Sequence, residues 1–352
     1  MIHKDSHTIN WISQVAKANR NADKILVEKV IKALTLLEQL KLNELNFIFK
    51  GGTALMLLLP EPKRLSIDID IILSEKPKDI ETIFSTIIEN SDFTRFELNE
   101  RKVKSKIDKA HYKFYYTPVS NTRAKEEYVL LDILYESNPY GSLIKEVNIN
   151  SSFLKVSGKH TRVEIPTFEA ILGDKLTAFA PNTTGVMYGK EKEIEIIKQL
   201  YDIGHLFDVI KELSLVKEVF ERIVQRELQY RSLKLTAQNV LDDIYETALC
   251  ISTRGMDGRG NFSELQTGVQ NIVNYIFSES FFIDKAITHA SKAVYLAILL
   301  KSNSKKIFRF KDISDIDGLL IDQPFNTKLN KLKKSNPEAF YYWYQTAQLM
   351  KT

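Results

Sequence analysis

The sequence predicts an α+β protein, in which a mixed sheet with flanking helices occupies roughly the first half of the chain and a helical bundle follows. Three observations predict this fold class. The 352 residues include only 13 glycines and 9 prolines, which favours long helices over many short strands joined by turns. Segments rich in β-branched and aromatic residues stop near Ile165. From Thr167 onward, apolar residues recur at helical spacing almost to the end of the chain.

The first half mixes helices and strands. Apolar residues at helical spacing predict an amphipathic helix over residues 23–42. A short strand at 46–50 leads into a helix that opens at Gly51 and that Pro60 ends. Polar and β-branched residues alternate over 66–73, which is typical of a strand. The other elements predicted for this half are a helix at 78–90 and strands at 93–100, 111–118, 127–135 and 147–156.

The second half has the periodicity of a helical bundle. We place the boundary near Lys211, which gives a mixed domain with an N-terminal helix at residues 1–210 and a helical domain at 211–352. The helices predicted from Thr167 onward span 167–180, 191–210, 213–229, 235–252, 263–277, 283–301 and 337–350.

Composition excludes several classes of protein and of site. The 49 basic and 45 acidic residues give a net charge of +4, which permits nucleic-acid binding without requiring it. Cys250 is the single cysteine, so an intrachain disulfide and a cysteine zinc cluster are excluded. The six histidines, His111 among them, lack the spacing of a zinc site. No apolar run reaches the roughly 20 residues that span a bilayer, and an apolar secretory signal is missing, so we expect a cytoplasmic protein without a membrane partner.

Two aspartates alternate along the strand predicted at 66–73. Asp68 and Asp70 therefore project from one face of the strand, and Ile69 projects from the other. Two carboxylates this close repel each other unless a cation lies between them, and oxygen ligands of this kind suit Mg²⁺. A pair of metal ions about 4 Å apart would activate an attacking hydroxyl and neutralise a leaving pyrophosphate. We predict that both aspartates are catalytic metal ligands.

A candidate phosphate-binding turn precedes these aspartates. Gly51 and Gly52 end a strand and open a helix, so their N–H groups face a ligand without side chains in the way. Thr53 adds a hydroxyl, and Arg64 adds a guanidinium suited to phosphate. Ser66, just before the aspartates, is a candidate phosphate or metal neighbour. Each piece alone also fits a turn or a solvated face, whereas their order along the chain favours nucleotide binding.

This order resembles the nucleotidyltransferase superfamily, whose members pair a glycine-containing phosphate turn with Asp-x-Asp on the following strand. Residues 49–55 (FKGGTAL) and 64–70 (RLSIDID) are similar, more narrowly, to the AbiEii/AbiGii toxins of type IV toxin–antitoxin and abortive-infection systems. The resemblance implies a nucleotidyltransferase fold, Mg²⁺ as cofactor, and transfer of a nucleoside monophosphate from a nucleoside triphosphate to an acceptor hydroxyl. It further implies an RNA acceptor, the 3′ end of tRNA, growth arrest as the outcome and an antitoxin protein as partner.

The resemblance also implies two further site residues. The third carboxylate would be Asp132, which lies within an apolar strand, with Glu136 as the reserve candidate; the alternative is an aspartate that is merely hydrogen-bonded at a strand end. Lys175, on an apolar helix, would bind the nucleotide phosphates as a catalytic residue. The alternative for this lysine is an ion pair with Asp174 or Glu169.

The last motif of the resemblance lies at residues 196–206. Asp202 would be an active-site carboxylate that positions the acceptor or Lys175. The alternative is a surface pair with Lys198, four residues earlier on the same helical face. Gln199 departs from the family pattern, because many members carry an aspartate at that position.

A basic run followed by aromatic residues is a candidate RNA surface, since lysines neutralise phosphates and rings stack on unpaired bases. The alternative is an edge strand whose lysines prevent aggregation. Two other functions stay open: transfer to a small molecule or a protein, and a nucleotide- or partner-binding module without catalysis. The candidate RNA-binding residues are Arg101, Lys102, Lys104, Lys106, Lys109 and Lys113.

Overall fold

The structure of the chain is a computed structural model that describes residues 1–99, 108–302, 304, 306–322 and 324–351. The chain divides into two compact units, Met1–Thr167 with Asn274–Ser280 and Phe168–Val273 with Phe281–Thr352. The boundary that we predicted near Lys211 falls inside the second of these units.

The first unit is built on a mixed sheet, as predicted. Within the described residues the sheet has seven strands in the order β3-β4-β5-β2-β1-β7-β6. The β2–β5 and β1–β7 pairs are parallel, and the other neighbouring pairs are antiparallel. The strands are β1 (Ile48–Lys50), β2 (Ile69–Leu73), β3 (Phe93–Leu98), β4 (Lys109–Tyr116), β5 (Glu127–Tyr135), β6 (Ile144–Asn148) and β7 (Arg162–Pro166).

Aromatic and aliphatic side chains fill one face of this sheet. The ring of Phe84 contacts those of Tyr112 and Phe114 edge to face, at centroid distances of 4.9 and 5.0 Å. Leu131 and Ile133 on β5 are at most 1% exposed, so the opposite face of β5 carries Asp132. The helices of the first unit are α1 (Ile9–Ala18), α2 (Lys24–Leu42), α3 (Gly51–Leu58) and α4 (Ile80–Asn90).

The second unit is helical, as predicted, and α10 runs through its core. Residues 286–300 of α10 are all buried, and the helix packs against α6, α8 and α13. A β-carbon on Gly173 would lie 2.9 Å from the Phe220 nitrogen, so this glycine allows α5 and α7 to pack closely. The helices are α5 (Phe168–Ala178), α6 (Glu193–Val209), α7 (Leu213–Tyr230), α8 (Ala237–Ser252), α9 (Phe262–Asn271), α10 (Ile283–Lys301), α11 (Asn326–Leu329), α12 (Leu332–Ser335) and α13 (Pro337–Leu349).

Some elements differ from their predictions. The strand predicted at 147–156 is largely wrong, because β6 ends at Asn148, and the sequence did not predict β7 or α1. The helix predicted at 263–277 ends at Asn271 and continues only as a short 3₁₀ turn. The remainder of that segment joins the first unit, where the Leu65 N–H donates to the Tyr275 carbonyl at 2.7 Å. No helix among the described residues is long and apolar enough to cross a membrane.

Candidate active site

Four polar side chains lie in one row across the sheet. Lys50 on β1 is the register partner of Asp70 on β2, and Asp70 is in turn the partner of Asp132 on β5. His111 on β4 is the next partner, opposite Asp132. Register partners on neighbouring strands project from the same face with Cβ atoms about 5 Å apart. Two of the predicted carboxylates, from segments far apart in the sequence, are therefore neighbours.

His111 makes the shortest described contact in this row. Its Nδ1 lies 2.6 Å from Oδ1 of Asp132, and the two side chains are 12% and 28% exposed. An ionised carboxylate only accepts hydrogen bonds, so we assign the imidazole Nδ1–H as the donor and Oδ1 of Asp132 as the acceptor. Sequence reasoning missed this residue, because the histidines were considered only for metal-ligand spacing. The register of β4 on β5 was the signal that would have found it.

The carboxylate of Asp70 lies directly against the start of α3. Gly51 has a φ of +79°, and a β-carbon placed on it would lie 2.1 Å from Oδ2 of Asp70. Only glycine meets both conditions, since the left-handed conformation is costly for other residues and the space is occupied. The candidate metal ligand and the candidate phosphate turn are therefore in contact.

Gly52 brings a second pair of groups to the same turn. A β-carbon there would lie 2.6 Å from Arg64 Nη2 and 2.6 Å from Ser66 Oγ. Lys50 is the N-cap residue of α3. A lysine side chain has no acceptor atom, so it does not cap the first N–H groups of the helix. Gly52 is therefore surrounded by hydrogen-bond donors: the helix N–H groups, a guanidinium and a hydroxyl. Together they form a cradle that fits a phosphate.

Thr53 has a different place from the one that we predicted. Its side chain is fully buried, and its hydroxyl donates a 2.7 Å hydrogen bond to the main-chain carbonyl of Asp68. Thr53 thus holds the backbone at the end of the loop before β2 and does not offer its proton to a phosphate. Asp68 itself precedes β2, which begins at Ile69, and its side chain is half-buried.

The described donors fit a hard divalent cation. Asp70 and Asp132 present carboxylate oxygens from one face of adjacent strands, and Asp68 lies two residues before Asp70 on the same chain segment. Carboxylate oxygens of this kind are the ligands that Mg²⁺ prefers. Glu136, the reserve candidate, follows the end of β5, where its N–H donates to the Leu73 carbonyl at 3.0 Å.

Lys175 and Asp202 form a buried ion pair within the helical unit. Lys175 Nζ lies 2.9 Å from Asp202 Oδ2, and the side chains are 10% and 2% exposed. Among the other residues that we considered as partners, Glu169 accepts the N–H of Lys211 at 3.1 Å, and Lys198 pairs with Glu195 at 2.8 Å. The pair holds the ammonium group of Lys175 beside Asp202, and the catalytic roles that the resemblance implies for both residues stay predictions.

Only part of the candidate RNA surface can be placed. Arg101, Lys102, Lys104 and Lys106 lie outside the described residues. Lys109 is exposed at the start of β4. Lys113, four residues later, lies on the same face of the strand as Lys109 and His111. Lys113 Nζ lies 4.9 Å from the ring centroid of Tyr128, a tyrosine of β5 that is 40% exposed.

The chain is similar to one protein family in sequence and to solved structures in fold. The family model for the nucleotidyl transferase AbiEii toxin of type IV toxin–antitoxin systems matches residues 35–257, more than half of the chain. The structure of the nucleotidyltransferase toxin MenT4 from Mycobacterium tuberculosis is 12% identical and has a TM-score of 0.52, with 81% of this chain and 89% of that chain covered. The structure of JHP933 from Helicobacter pylori is 16% identical, with a TM-score of 0.42 and coverage of 78% and 90%. No curated protein matches the chain.

Proposed function

The chain belongs to the AbiEii family of nucleotidyltransferase toxins of type IV toxin–antitoxin systems, and on that premise we propose its reaction, acceptor and cofactor. It transfers a nucleoside monophosphate from a nucleoside triphosphate to a hydroxyl of RNA, at the 3′ end of tRNA, in a reaction that needs Mg²⁺. It acts in the cytoplasm, and an antitoxin protein restrains it. The observation that carries the proposal is the contact between the Asp70 carboxylate and the glycine turn that opens α3.

The triphosphate binds at this turn. Gly51 and Gly52 place no side chain between the first turn of α3 and an anion, and the helix dipole favours negative charge there. Arg64 is 6% exposed and its Nη1 donates to the Leu65 carbonyl at 3.1 Å, so its guanidinium is held in one orientation beside Gly52. A fixed donor costs less conformational entropy when it binds a phosphate than a mobile surface arginine would.

Mg²⁺ held by Asp68, Asp70 and Asp132 would lower the pKa of the attacking hydroxyl and neutralise charge on the leaving pyrophosphate. The protein's own contribution is position. Asp70 and Asp132 are fixed by their register on two parallel strands, and Asp68 is fixed through its carbonyl by Thr53. Lys175 remains the predicted phosphate lysine, and its buried pair with Asp202 supports a fixed orientation for its ammonium group.

The acceptor argument rests on the face of the sheet beside the acids. Lys109 and Lys113 flank His111, which lies opposite Asp132, on the same face of β4. Tyr128 lies four residues before Asp132 on the same face of β5, which corresponds to about 13 Å, the length of a few nucleotides of unpaired RNA. Cations and an exposed ring at this distance suit a single-stranded end better than a small polar acceptor.

The test is labelling of total RNA by the purified protein with Mg²⁺ and each labelled triphosphate in turn. We expect one triphosphate to label a band of tRNA size, and we expect EDTA or Asp70→Asn to abolish the label. Asp317→Asn, an exposed aspartate of the helical unit, is the matched control and should label as wild type does. Labelling of protein or of a small molecule in place of RNA would refute the acceptor, and full labelling by Asp70→Asn would refute the site.

A further inference from the structure

We propose that His111 is a positioning residue that sets which oxygen of Asp132 faces the cation. Its Nδ1–H holds Oδ1 of Asp132, and Oδ2 is left as the ligand oxygen. This inference rests on the proposed function, because it assumes that Asp132 is a ligand. It adds a residue that neither the sequence motifs nor the family resemblance supplied.

The order of the strands gives the contact its direction. β5 lies between β4 and β2, so His111 and Asp70 flank Asp132 from opposite sides in the same row of the sheet. A hydrogen bond from the β4 side draws Oδ1 away from Asp70 and leaves Oδ2 on the side of β2. A cation held by Asp70 and Asp132 together would lie on that side, so the bond would favour the orientation of the Asp132 carboxylate that both ligands need.

The imidazole is itself held firmly enough to do this. Its side chain is 12% exposed, and the main-chain carbonyl of His111 accepts the Asn99 N–H at 2.7 Å on the side away from β5. A ring fixed in this way donates without losing much rotamer freedom. Hydrogen-bond partners of metal ligands typically change metal affinity by about 10–100-fold when they are removed.

The same contact eases the repulsion between the two neighbouring carboxylates before a cation binds, in addition to Lys50, the register partner of Asp70 on its other side. Asp70 and Asp132 are register partners, and like charges directly opposite each other destabilise a sheet. The hydrogen bond to Oδ1 of Asp132 draws the negative charge of this carboxylate toward β4 and away from Asp70. His111 therefore prepares the acid pair without occupying the place of the metal.

The first test measures Mn²⁺ affinity by electron paramagnetic resonance, without nucleotide or RNA. His111→Leu removes the donor and should weaken Mn²⁺ binding by about 10-fold or more. His111→Asn places an amide N–H where Nδ1 stood and should stay within about 3-fold of wild type, because it restores the hydrogen bond. Equal weakening by both variants would overturn the inference, and so would wild-type affinity in His111→Leu.

The second test measures the wild-type protein and uses a variant only to assign the signal. Nitrogen-15 spectra of the metal-free wild-type protein report which ring nitrogen of a neutral histidine carries the proton, and His111→Asn identifies its signal. We expect the Nδ1–H form. A neutral His111 with its proton on Nε2 cannot donate to Asp132 and would overturn the inference.

The two proposals fail in different ways. Mn²⁺ that binds wild type, is lost in Asp70→Asn and binds His111→Leu normally would leave the proposed function intact and remove only the role of His111. A wild-type protein that binds no Mn²⁺ and labels no RNA would overturn both.

Discussion

The Thr53 hydroxyl donates a 2.7 Å hydrogen bond to the main-chain carbonyl of Asp68, and this bond ties the first turn of α3 to the residue that precedes β2. Both the phosphate turn and the aspartates depend on that junction. The bond lies where Thr53 is fully buried, so water cannot replace it.

Thr53→Val keeps the shape of the side chain and removes its donor. We expect the free energy of unfolding to fall by about 1–2 kcal/mol, because a buried carbonyl loses its partner. RNA labelling should fall by more than this stability loss explains, since Asp68 loses its anchor. Urea denaturation and initial labelling rates measure the two effects. Thr53→Ser retains the hydroxyl and should preserve the rate; a Ser variant as slow as the Val variant would contradict the positioning role.

Gly51→Ala should abolish activity through a clash with Asp70. The substitution costs about 1–2 kcal/mol for a side chain in the left-handed conformation, and its β-carbon also displaces the Asp70 carboxylate. A ligand moved by about 1 Å is enough to lower the labelling rate by about 100-fold.

Gly158 separates the two effects of that substitution. Its φ is +69°, and no atom lies within 4 Å of the β-carbon that alanine would add. Gly158→Ala should therefore show the backbone cost in urea denaturation and retain full labelling. If Gly51→Ala also labelled RNA at the wild-type rate, the close approach of Asp70 to the turn would have no catalytic importance.

The pair of Lys175 and Asp202 predicts a difference between stability and activity. Lys175→Met and Asp202→Leu should each lower the free energy of unfolding by about 3–5 kcal/mol, because each leaves one buried charge without its partner. The double variant should recover most of this loss, since neither charge of this pair remains buried. It should still fail to label RNA if Lys175 binds phosphate.

Thermal and urea unfolding measure the stability of the two single variants and the double variant. Labelling rates are measured at a temperature at which all three are folded. Lys217→Met is the control, because Lys217 pairs with Glu221 on the surface of the same unit and should cost little. A double variant that labels RNA normally would show that the ion pair is purely structural.

Local patterns predicted much of the fold and the parts of the site that lie close together in sequence. Alternation along residues 66–73 identified Asp68 and Asp70, and two consecutive glycines before an apolar run identified the turn. The adjacency of Asp70 and Asp132 was not readable from spacing, because it depends on the parallel register of β2 on β5. The resemblance to a family supplied Asp132, whereas the structure supplied its neighbour.

The missed elements have similar causes. β7 has only five residues and ends in a proline, so its alternation is too short to stand out from a loop. The contact of His111 with Asp132 joins strands β4 and β5 across 21 positions of sequence, and no local motif marks it. We predicted a phosphate contact for Thr53, because the sequence does not show that Thr53 is buried. The burial follows from the packing of α3 against the main-chain carbonyl of Asp68.

His7 predicts a pH dependence of stability that is separate from the active site. Burial, and next the nearby positive charge of Lys32, lower the pKa of His7 to about 4. Between pH 6.5 and 4 the unfolded chain binds this proton and the folded chain does not, so stability is present above pH 6.5 and is lost as the pH falls toward 4. The loss attributable to His7 is up to about 2–3 kcal/mol. Urea denaturation from pH 8 to pH 4 measures how the free energy of unfolding depends on pH, and this dependence should be shallower for His7→Gln than for wild type. His160→Gln, at an exposed histidine, is the control. Equal slopes for wild type and His7→Gln would mean that the folded protein protonates His7 as readily as the unfolded chain does.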